Sequence, residues 1–520
     1  MTAQTLTDLL ARAVDRWPDD TAVEDNEESI SYKQLAARAG ALAAELIENG
    51  VTAGDRVGVL LSKSIQAVCS QYGIMWAGAA YVPLDPAAPA QRHALMVRHC
   101  GIRVLVTTAS ALSALTKVPD LSLSFVILVD EREIDAGAIV CRRMRDALDR
   151  TPMPHPAPVE SQDLAYILHT SGSTGVPKGV MISHGNAMAF VSWARETIGV
   201  ERSDRLSSHA PFHFDLSVFD LYVATAAGST VVLVPDMISI FPVRMAEWIE
   251  TRGITVWYSV PSALVHMLKS GNIERFEFSA LRKILFAGEV FATKYLREWK
   301  RKLPTADWYN LYGPTETNVC TYFQVLTVQE GDAPISIGKA ASGDTIFLID
   351  AAGRIAKDEG VEGEIWVSGP SVALGYWGDE QKTRERFVIE PEVSGSDSPM
   401  YRTGDFAYWN RDRNLIFKGR RDHMIKSRGY RIELGEIEAA IYGHPAVVEA
   451  CVVAIPDEDA GSLIRACVVA DGDLDSDALE QHLSKQLPRY MLPHEIRFSK
   501  LLPKTSTGKI DRQALLEESS

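Results

Sequence analysis

A chain of 520 residues, 46% hydrophobic and 23% charged, has the composition of a folded globular protein but is too long for a single core, so two to four domains or lobes are expected. Its formal net charge of −15 argues against non-specific binding to nucleic acid or to an anionic membrane surface. The six cysteines are scattered with no C-x-x-C pair, which gives no support for a disulfide framework or a zinc site and fits reduced thiols in the cytoplasm.

The N-terminus lacks a basic segment leading into an apolar one, so no secretory signal is read there. No apolar run reaches the roughly 18 residues of a membrane span. Instead Leu6, Leu9, Leu10, Ala13, Val14 and Trp17 recur at helical spacing. Arg56–Leu61 is a short apolar run suited to a buried strand. Ser64–Trp76 has a helical apolar pattern, and Ala79–Asp85 reads as an extended piece ending in a turn. Val104–Thr107 and Phe125–Val129 are further strand candidates. This alternation predicts an α/β fold with a largely parallel sheet covered by helices on both faces. Four prolines between Thr151 and Val159 mark a loop.

Beyond that loop, Leu164–Leu168, Thr230–Val234, Val256–Pro261, Ile284–Glu289 and Asp307–Pro314 repeat the strand texture. Several of them end in glycine, proline or a polar residue, and ligands of open α/β sheets collect beyond the carboxyl ends of strands. From about Ile337 to Arg420, short strands and Gly/Asp turns predict a β-rich subdomain. Composition shifts again at Lys418–Asp422. A helix at Leu434–Tyr442, strands at Val447–Ala454 and Ala466–Ala470, and a helix at Ser476–Leu487 then predict a small α/β unit. The expected division is 1–420 for the large unit, with the β-rich part at 337–420, and 421–520 for the small one.

The densest functional signal is Thr170-Ser171-Gly172-Ser173-Thr174-Gly175-Val176-Pro177-Lys178-Gly179. Glycines let backbone N–H groups approach an anion, hydroxyls donate to phosphate oxygens, and Lys178 adds a compact positive charge. A flexible surface linker is the bland alternative, but linkers seldom follow a buried strand or end in Pro-Lys-Gly. The stretch is not a Walker loop, because Lys178 is followed by glycine rather than Ser or Thr.

Further stretches follow in order: Tyr312-Gly313-Pro314-Thr315-Glu316-Thr317, Tyr401-Arg402-Thr403-Gly404-Asp405, Gly419-Arg420-Arg421-Asp422, Arg428–Glu438 and Pro503–Arg512. With these the sequence resembles the adenylate-forming superfamily and, within it, the amino-acid adenylation domains of nonribosomal peptide synthesis. The resemblance runs from Ile30 to Arg512.

It implies a large N-terminal domain and a small, mobile C-terminal domain. It also implies ATP with Mg²⁺ as cofactors and a carrier protein's phosphopantetheine thiol as acyl acceptor. By the same resemblance Thr170, Ser171, Gly172, Ser173, Thr174 and Lys178 hold the pyrophosphate portion of ATP, and Glu316 is the Mg²⁺ ligand. Tyr312 lies against adenine with Gly288, Gly313 and Thr315 nearby, and Asn310 reads the adenine amino edge. Asp405 accepts the ribose hydroxyls, with Arg420 beside it. Lys509 is the catalytic lysine, Asp422 the hinge of the small domain, and Gly429 part of the thiol's path.

Phe212–Asp220 carries the substrate class. Asp215 matches the position that pairs with an amino acid's α-ammonium group; an ordinary helix cap is the alternative reading. The implied pocket is Asp215, Leu216, Phe219, Tyr258, Leu285, Ala287, Leu311, Val319 and Cys320, closed by Lys509. Its lining is apolar apart from Asp215 and Lys509, which favours a compact apolar side chain. The set resembles that of proline-activating domains, with Phe219 where leucine is common. L-Proline is the expected substrate, and pipecolate or another small apolar amino acid comes next. Two stretches depart from the family pattern and read as structural: Leu374 stands where arginine is common, and His169 where tyrosine is frequent. The expectation is a stand-alone cytoplasmic ligase that loads a separate carrier protein. An acyl- or aryl-CoA ligase of the same superfamily is the alternative.

Overall fold

A computed structural model describes residues 3–172, 176–328, 330, 331, 333–395, 397–421, 424–457, 461–504 and 510–517. The alternating strands form two large sheets rather than one. An eight-stranded sheet has Arg56–Leu60 and Ala80–Pro83 at its centre. Val104–Thr107, Phe125–Leu128 and Val140–Arg143 extend it in parallel on one side. On the other side lie Leu164–Thr170 and the antiparallel Lys178–Ser183. A nine-stranded sheet takes the later strands, with Arg205–Ser208, Val256–Ser259, Lys283–Phe286 and Asp307–Tyr312 parallel to one another. The N-terminal hairpin Thr21–Glu24/Ser29–Ser31 crosses to the far edge of this second sheet.

Helices fill the space between the sheets. Tyr32–Glu48 starts with a capping box in which Ser31 and Gln34 satisfy each other's backbone N–H groups. Ile65–Trp76 is capped by Ser64 and is buried all round apart from Gln66. A helix apolar on every face must be covered on every face, and this one joins both sheets in the largest core cluster. Its Tyr72 shares a hydrogen bond of 2.7 Å with Thr225, and nearby Tyr222 donates to Tyr81 at 2.9 Å, while the buried Gln71 amide has no partner among the described residues.

The β-rich sheet is antiparallel, built on Glu362–Ser368, Met400–Trp409 and Leu415–Arg420. Burial alternates along Glu362–Ser368, so one face covers the core and the other meets solvent. After residue 423 come the two-stranded hairpin Met424–Ser427/Tyr430–Glu433 and a three-stranded sheet of Val447–Asp457, Gly461–Ala470 and Glu495–Phe498. That sheet packs Leu434–Tyr442 and Ser476–Leu483 on one face. Among the described residues, no helix is long and apolar enough to cross a membrane.

One buried acid joins the β-rich sheet to the site. Asp344 accepts from Ser371 N (3.2 Å) and Ser371 Oγ (2.5 Å). Two residues on, Ala373 N donates to Glu316 O at 2.8 Å. Burial outweighs the two bonds from Ser371 and pushes the Asp344 carboxyl up from 3.8 to about 7. Its stabilising contribution is therefore full below about pH 3.8 and is lost as pH rises towards 7. Asp344→Asn is expected to flatten the pH dependence of thermal stability over that window. Above it the variant should be the more stable, by up to about 4 kcal/mol. A melting-temperature series against pH checks this.

Candidate active site

The residues singled out in the sequence converge where the two large sheets, the β-rich sheet and the Met424–Glu433 hairpin meet. Strand Leu164–Thr170 pairs antiparallel with Lys178–Ser183, with Thr170 opposite Lys178, so the Gly/Ser stretch is the turn of a hairpin. Ser173 and Thr174 lie outside the described residues. A Cβ on Gly172 would fall 1.9 Å from Val176 O, which restricts that position to glycine. Thr170 Oγ1 is buried with no partner among the described residues.

The C-terminal unit occupies the donors of Ser171, Gly172 and Lys178. Ser171 Oγ donates to Arg431 O (2.8 Å) and accepts from Glu433 N (3.0 Å). Gly172 N donates to Glu436 Oε2 (3.0 Å), and Lys178 Nζ pairs with Glu433 Oε1 at 3.0 Å. Burial lowers the Lys178 ammonium's pKa despite that partner. Two carboxylates thus sit on donors of a kind that also suits phosphate oxygens.

Glu316 is fully buried beside the turn. Burial alone would push its carboxyl up. The Arg431 guanidinium (2.7 Å), the Tyr376 hydroxyl (2.7 Å) and Lys178 more than offset this and hold it at about 2. The carboxylate is therefore ionised at every ordinary pH, with its main counter-charge supplied by the C-terminal hairpin.

A cavity of about 590 Å³ is lined in part by Gly288, Asn310, Leu311, Tyr312, Arg420 and Lys426. Asn310 Nδ2 donates to Ser336 O at 2.8 Å. Asp405 is held on both oxygens: Tyr312 OH donates to Oδ2 (2.6 Å) and Arg420 Nη1 to Oδ1 (2.8 Å). Burial and the Asp405 charge push the Tyr312 hydroxyl well above 10, so it remains a donor.

A smaller cavity, about 100 Å³ in this arrangement, is walled by Asp215, Leu216, Tyr258, Ala287, Gly313, Thr315 and Val319. Asp215 Oδ2 accepts from Thr315 Oγ1 at 2.9 Å. Helical residues begin at Ser217, two residues after Asp215, and Val218 N donates to the Asp215 carbonyl at 3.1 Å. Burial raises the Asp215 carboxyl's pKa, and the Thr315 bond only partly offsets this. Phe219, Leu285 and Cys320 are fully buried and border neither cavity. Phe219 instead packs edge-on against Tyr258, with ring centroids 5.4 Å apart. Leu285 pairs with Tyr258 across the sheet, and Cys320 Sγ lies 3.6 Å from Tyr312 O.

The hairpin closes the site from above. Phe214 meets Tyr430 edge-on at 4.8 Å, and Tyr430 stacks on Tyr490 at 3.7 Å. Arg92 pairs with Glu436 at 2.6 Å, with both side chains buried. Gly429 N donates to Glu289 Oε1 at 2.6 Å, and a Cβ on Gly429 would fall 2.5 Å from Val260 Cγ1. Lys509 and Asp422 lie outside the described residues. Leu502 and Leu515, on either side of 505–509, pack with Cys451 and Cys467. That is the face of the small sheet opposite the one that holds Ile432 and helix Leu434–Tyr442.

Three contributors lie outside the motif stretches named in the sequence: Arg92, Tyr376 and Lys426. Tyr376 belongs to the stretch read as structural, yet its hydroxyl grips Glu316. The charge-rich run that begins at Lys426 was the available signal for that residue. Arg92 lies in no motif at all.

The sequence model described as "AMP-binding enzyme" matches residues 10–377, and that of the "AMP-binding enzyme C-terminal domain" matches 436–509. An L-proline–[L-prolyl-carrier protein] ligase of Pseudomonas fluorescens is 37% identical over 522 residues, covering 99% of each chain. A ligase of the same name from Streptomyces coelicolor is 36% identical, covering 97% of this chain and 96% of its own. The Vibrio cholerae adenylation domain AlmE, solved with glycyl-adenosine-5'-phosphate, shares the fold. Its TM-score is 0.85 at 22% identity, over 100% of this chain and 98% of that one.

Proposed function

The chain belongs to the AMP-binding enzyme family, and from that premise we propose that it activates an amino acid, L-proline first, and loads it onto a carrier protein. The amino acid's carboxylate attacks the α-phosphorus of ATP and pyrophosphate leaves, giving aminoacyl-AMP. The thiol of a carrier protein's phosphopantetheine arm then attacks the acyl carbon, and AMP leaves. The two relatives named for L-proline and a prolyl carrier protein, matched end to end, support this reading.

One observation carries it: Asp215, a partly buried carboxylate at the wall of the smaller cavity beside Leu216, Tyr258, Ala287 and Val319, hydrogen-bonded to the neutral Thr315 hydroxyl, with the cations of that cavity, Arg92, Arg420, Lys426 and Arg431, not paired to it. Among the described residues it forms no salt bridge with any lysine or arginine. The Thr315 bond and the nearby Lys426 charge offset its burial only in part, and the α-ammonium of an amino acid would supply a directly paired cation. The aromatic and aliphatic walls suit a small apolar ring. One additional methylene is worth only about 1–3 kcal/mol in such a pocket, so pipecolate is the nearest competitor.

The remaining roles follow from chemistry and position. The Thr170–Gly172 donors and Lys178 hold the β- and γ-phosphates. Asn310 and Tyr312 seat the adenine, and Asp405, fixed by Tyr312 and Arg420, takes the ribose hydroxyls. Glu316 fits a Mg²⁺ ion, since it is an ionised hard-oxygen ligand whose counter-charge, Arg431, comes from a separate unit that can withdraw. The bound ion would supply charge neutralisation on the phosphates. Lys509 completes the adenylating arrangement.

With Arg431, Glu433 and Glu436 on the phosphate side, the arrangement described here is the one suited to the second half-reaction. Gly429 lies against Val260 and Glu289, where only a residue without a side chain lets a narrow path remain. The reaction belongs in the cytoplasm, where ATP and reduced thiols coexist; the described cysteines are all free.

Intact-mass measurement of a prolyl-loaded carrier protein, beside a parallel reaction with coenzyme A, tests the acceptor. Loading of the carrier is expected, and turnover with coenzyme A alone would point to a CoA ligase. Asp422→Pro is expected to separate the half-reactions, retaining adenylation and losing acyl transfer, because a proline fixes φ where the backbone must turn. Equal loss of both steps would argue against a hinge at that residue.

A further inference from the structure

His99, Cys100 and His169 form a cluster that the amino-acid-activating reaction leaves unused. One donor atom from each lies within 4.8 Å of the other two. His99 and Cys100 sit at the end of helix Ala90–His99, and His169 is the last residue before Thr170. Cys100 Sγ is 3.6 Å from His169 Nε2, and the two imidazoles meet edge to face with centroids 6.1 Å apart.

A thiol–imidazole hydrogen bond accounts for one of these contacts. It leaves the Nδ1 atoms of both His99 and His169 buried without a partner among the described residues. Buried ring nitrogens are normally satisfied, and an unsatisfied one carries its full desolvation cost. Glycines border both rings: a Cβ on Gly179 would lie 3.5 Å from His169 Nε2, and one on Gly378 3.5 Å from His99 Nε2. Trp377 Nε1 donates to His99 O at 3.1 Å and fixes the helix end.

We propose that His99, Cys100 and His169 bind a borderline-soft divalent transition metal of the zinc class, through two imidazole nitrogens and the Cys100 thiolate, with water as the fourth ligand. Zinc takes such N and S donors in tetrahedral geometry at about 2.0–2.3 Å, so donors around one ion lie within roughly 4 Å of each other. Small rotamer changes bring the three donors to that spacing. Mg²⁺ demands oxygen ligands and is not a competitor here. Binding breaks the Cys100 S–H bond, forms a metal–sulfur bond and releases one proton to solvent. Sequence spacing carries no hint of the site, because its cysteine and second histidine lie 69 residues apart and only the sheet brings them together. An ion there would tie the strand end before Thr170 to the helix that carries Arg92, stiffening one wall of the anion-binding turn.

Co²⁺ titration of the full chain, with Mg²⁺ in excess, tests the proposal without recourse to catalysis. The expected result is one Co²⁺ per chain, with a thiolate-to-cobalt charge-transfer band in the near ultraviolet and displacement by Zn²⁺. Cys100→Ser should abolish that band, and His99→Gln, at a half-exposed helix end, should weaken binding while circular dichroism stays unchanged. Absence of Co²⁺ binding would overturn the proposal. So would an undiminished band in Cys100→Ser, which would assign the metal to another cysteine. Should Cys100→Ser not fold, unaltered Co²⁺ affinity in His99→Gln overturns it alone.

Discussion

Lys509→Ala is expected to lower amino-acid-dependent ATP–pyrophosphate exchange by about 100- to 1000-fold. Attack of a carboxylate on the α-phosphorus brings two anionic groups together and spreads negative charge over the phosphate oxygens. A preorganised cation that bridges both is worth most in the transition state, and removal of one such donor costs roughly 2.7–4 kcal/mol. The effect should fall on kcat for adenylation, whereas acyl transfer from preformed aminoacyl-AMP should persist. The residues flanking 505–509 pack on the sheet face opposite the hairpin that now covers the turn. The residues flanking 505–509 and the hairpin therefore belong to opposite faces of one small unit. A near-normal exchange rate in the variant would remove Lys509 from the chemistry.

Asp215→Ala should cost a similar amount for a different reason. The α-ammonium of a bound amino acid would be left buried without a counter-charge, a loss of about 3–5 kcal/mol, or roughly 150- to 5000-fold in kcat/KM for the amino acid. The loss should appear chiefly in KM, with KM for ATP little changed. pH supplies a second signature. Burial raises the Asp215 carboxyl's pKa, so falling pH protonates it at a higher pH than an exposed aspartate. KM for the amino acid should therefore rise as pH falls through that raised value, and Asp215→Asn should remove the dependence. An Asp215→Ala variant that keeps its amino-acid KM would exclude the ammonium role.

Much of the fold was legible because the strands of the large unit are buried on both faces. Arg56–Leu60, Val104–Thr107 and Phe125–Leu128 appear in the sequence as continuous apolar runs and are strands in the structure. Their division between two sheets was not legible, since sheet membership is set by crossovers and by which face of a shared helix each strand meets. Helix Ile65–Trp76, covered on both sides, is the element that decides it. The short hairpin Met424–Ser427/Tyr430–Glu433 was also missed as secondary structure, because its alternation is broken by charges that pair with groups of the large unit.

At the site, motif stretches placed Ser171, Glu316, Tyr312 and Asp405 close to one another in the fold. Most partners that hold them, Arg420, Arg431 and Glu433, also lie in motif stretches, but two contacts come from outside them. Tyr376 grips Glu316 from a segment that carries only a weak pattern, and Arg92 reaches Glu436 across 344 residues of sequence. Such contacts depend on side-chain reach in the folded molecule, which no local spacing encodes. The apolar pocket illustrates the same limit: Phe219, Leu285 and Cys320 lie behind the cavity wall here, and their influence passes through Tyr258 and Tyr312 rather than by direct lining.

The most direct test of amino-acid activation is ATP–pyrophosphate exchange across the common amino acids plus pipecolate, with the full chain, ATP and Mg²⁺. The expected result is strong exchange with L-proline, weaker exchange with pipecolate, and little with charged or large aromatic amino acids. Exchange no greater with proline than without any amino acid would contradict the account.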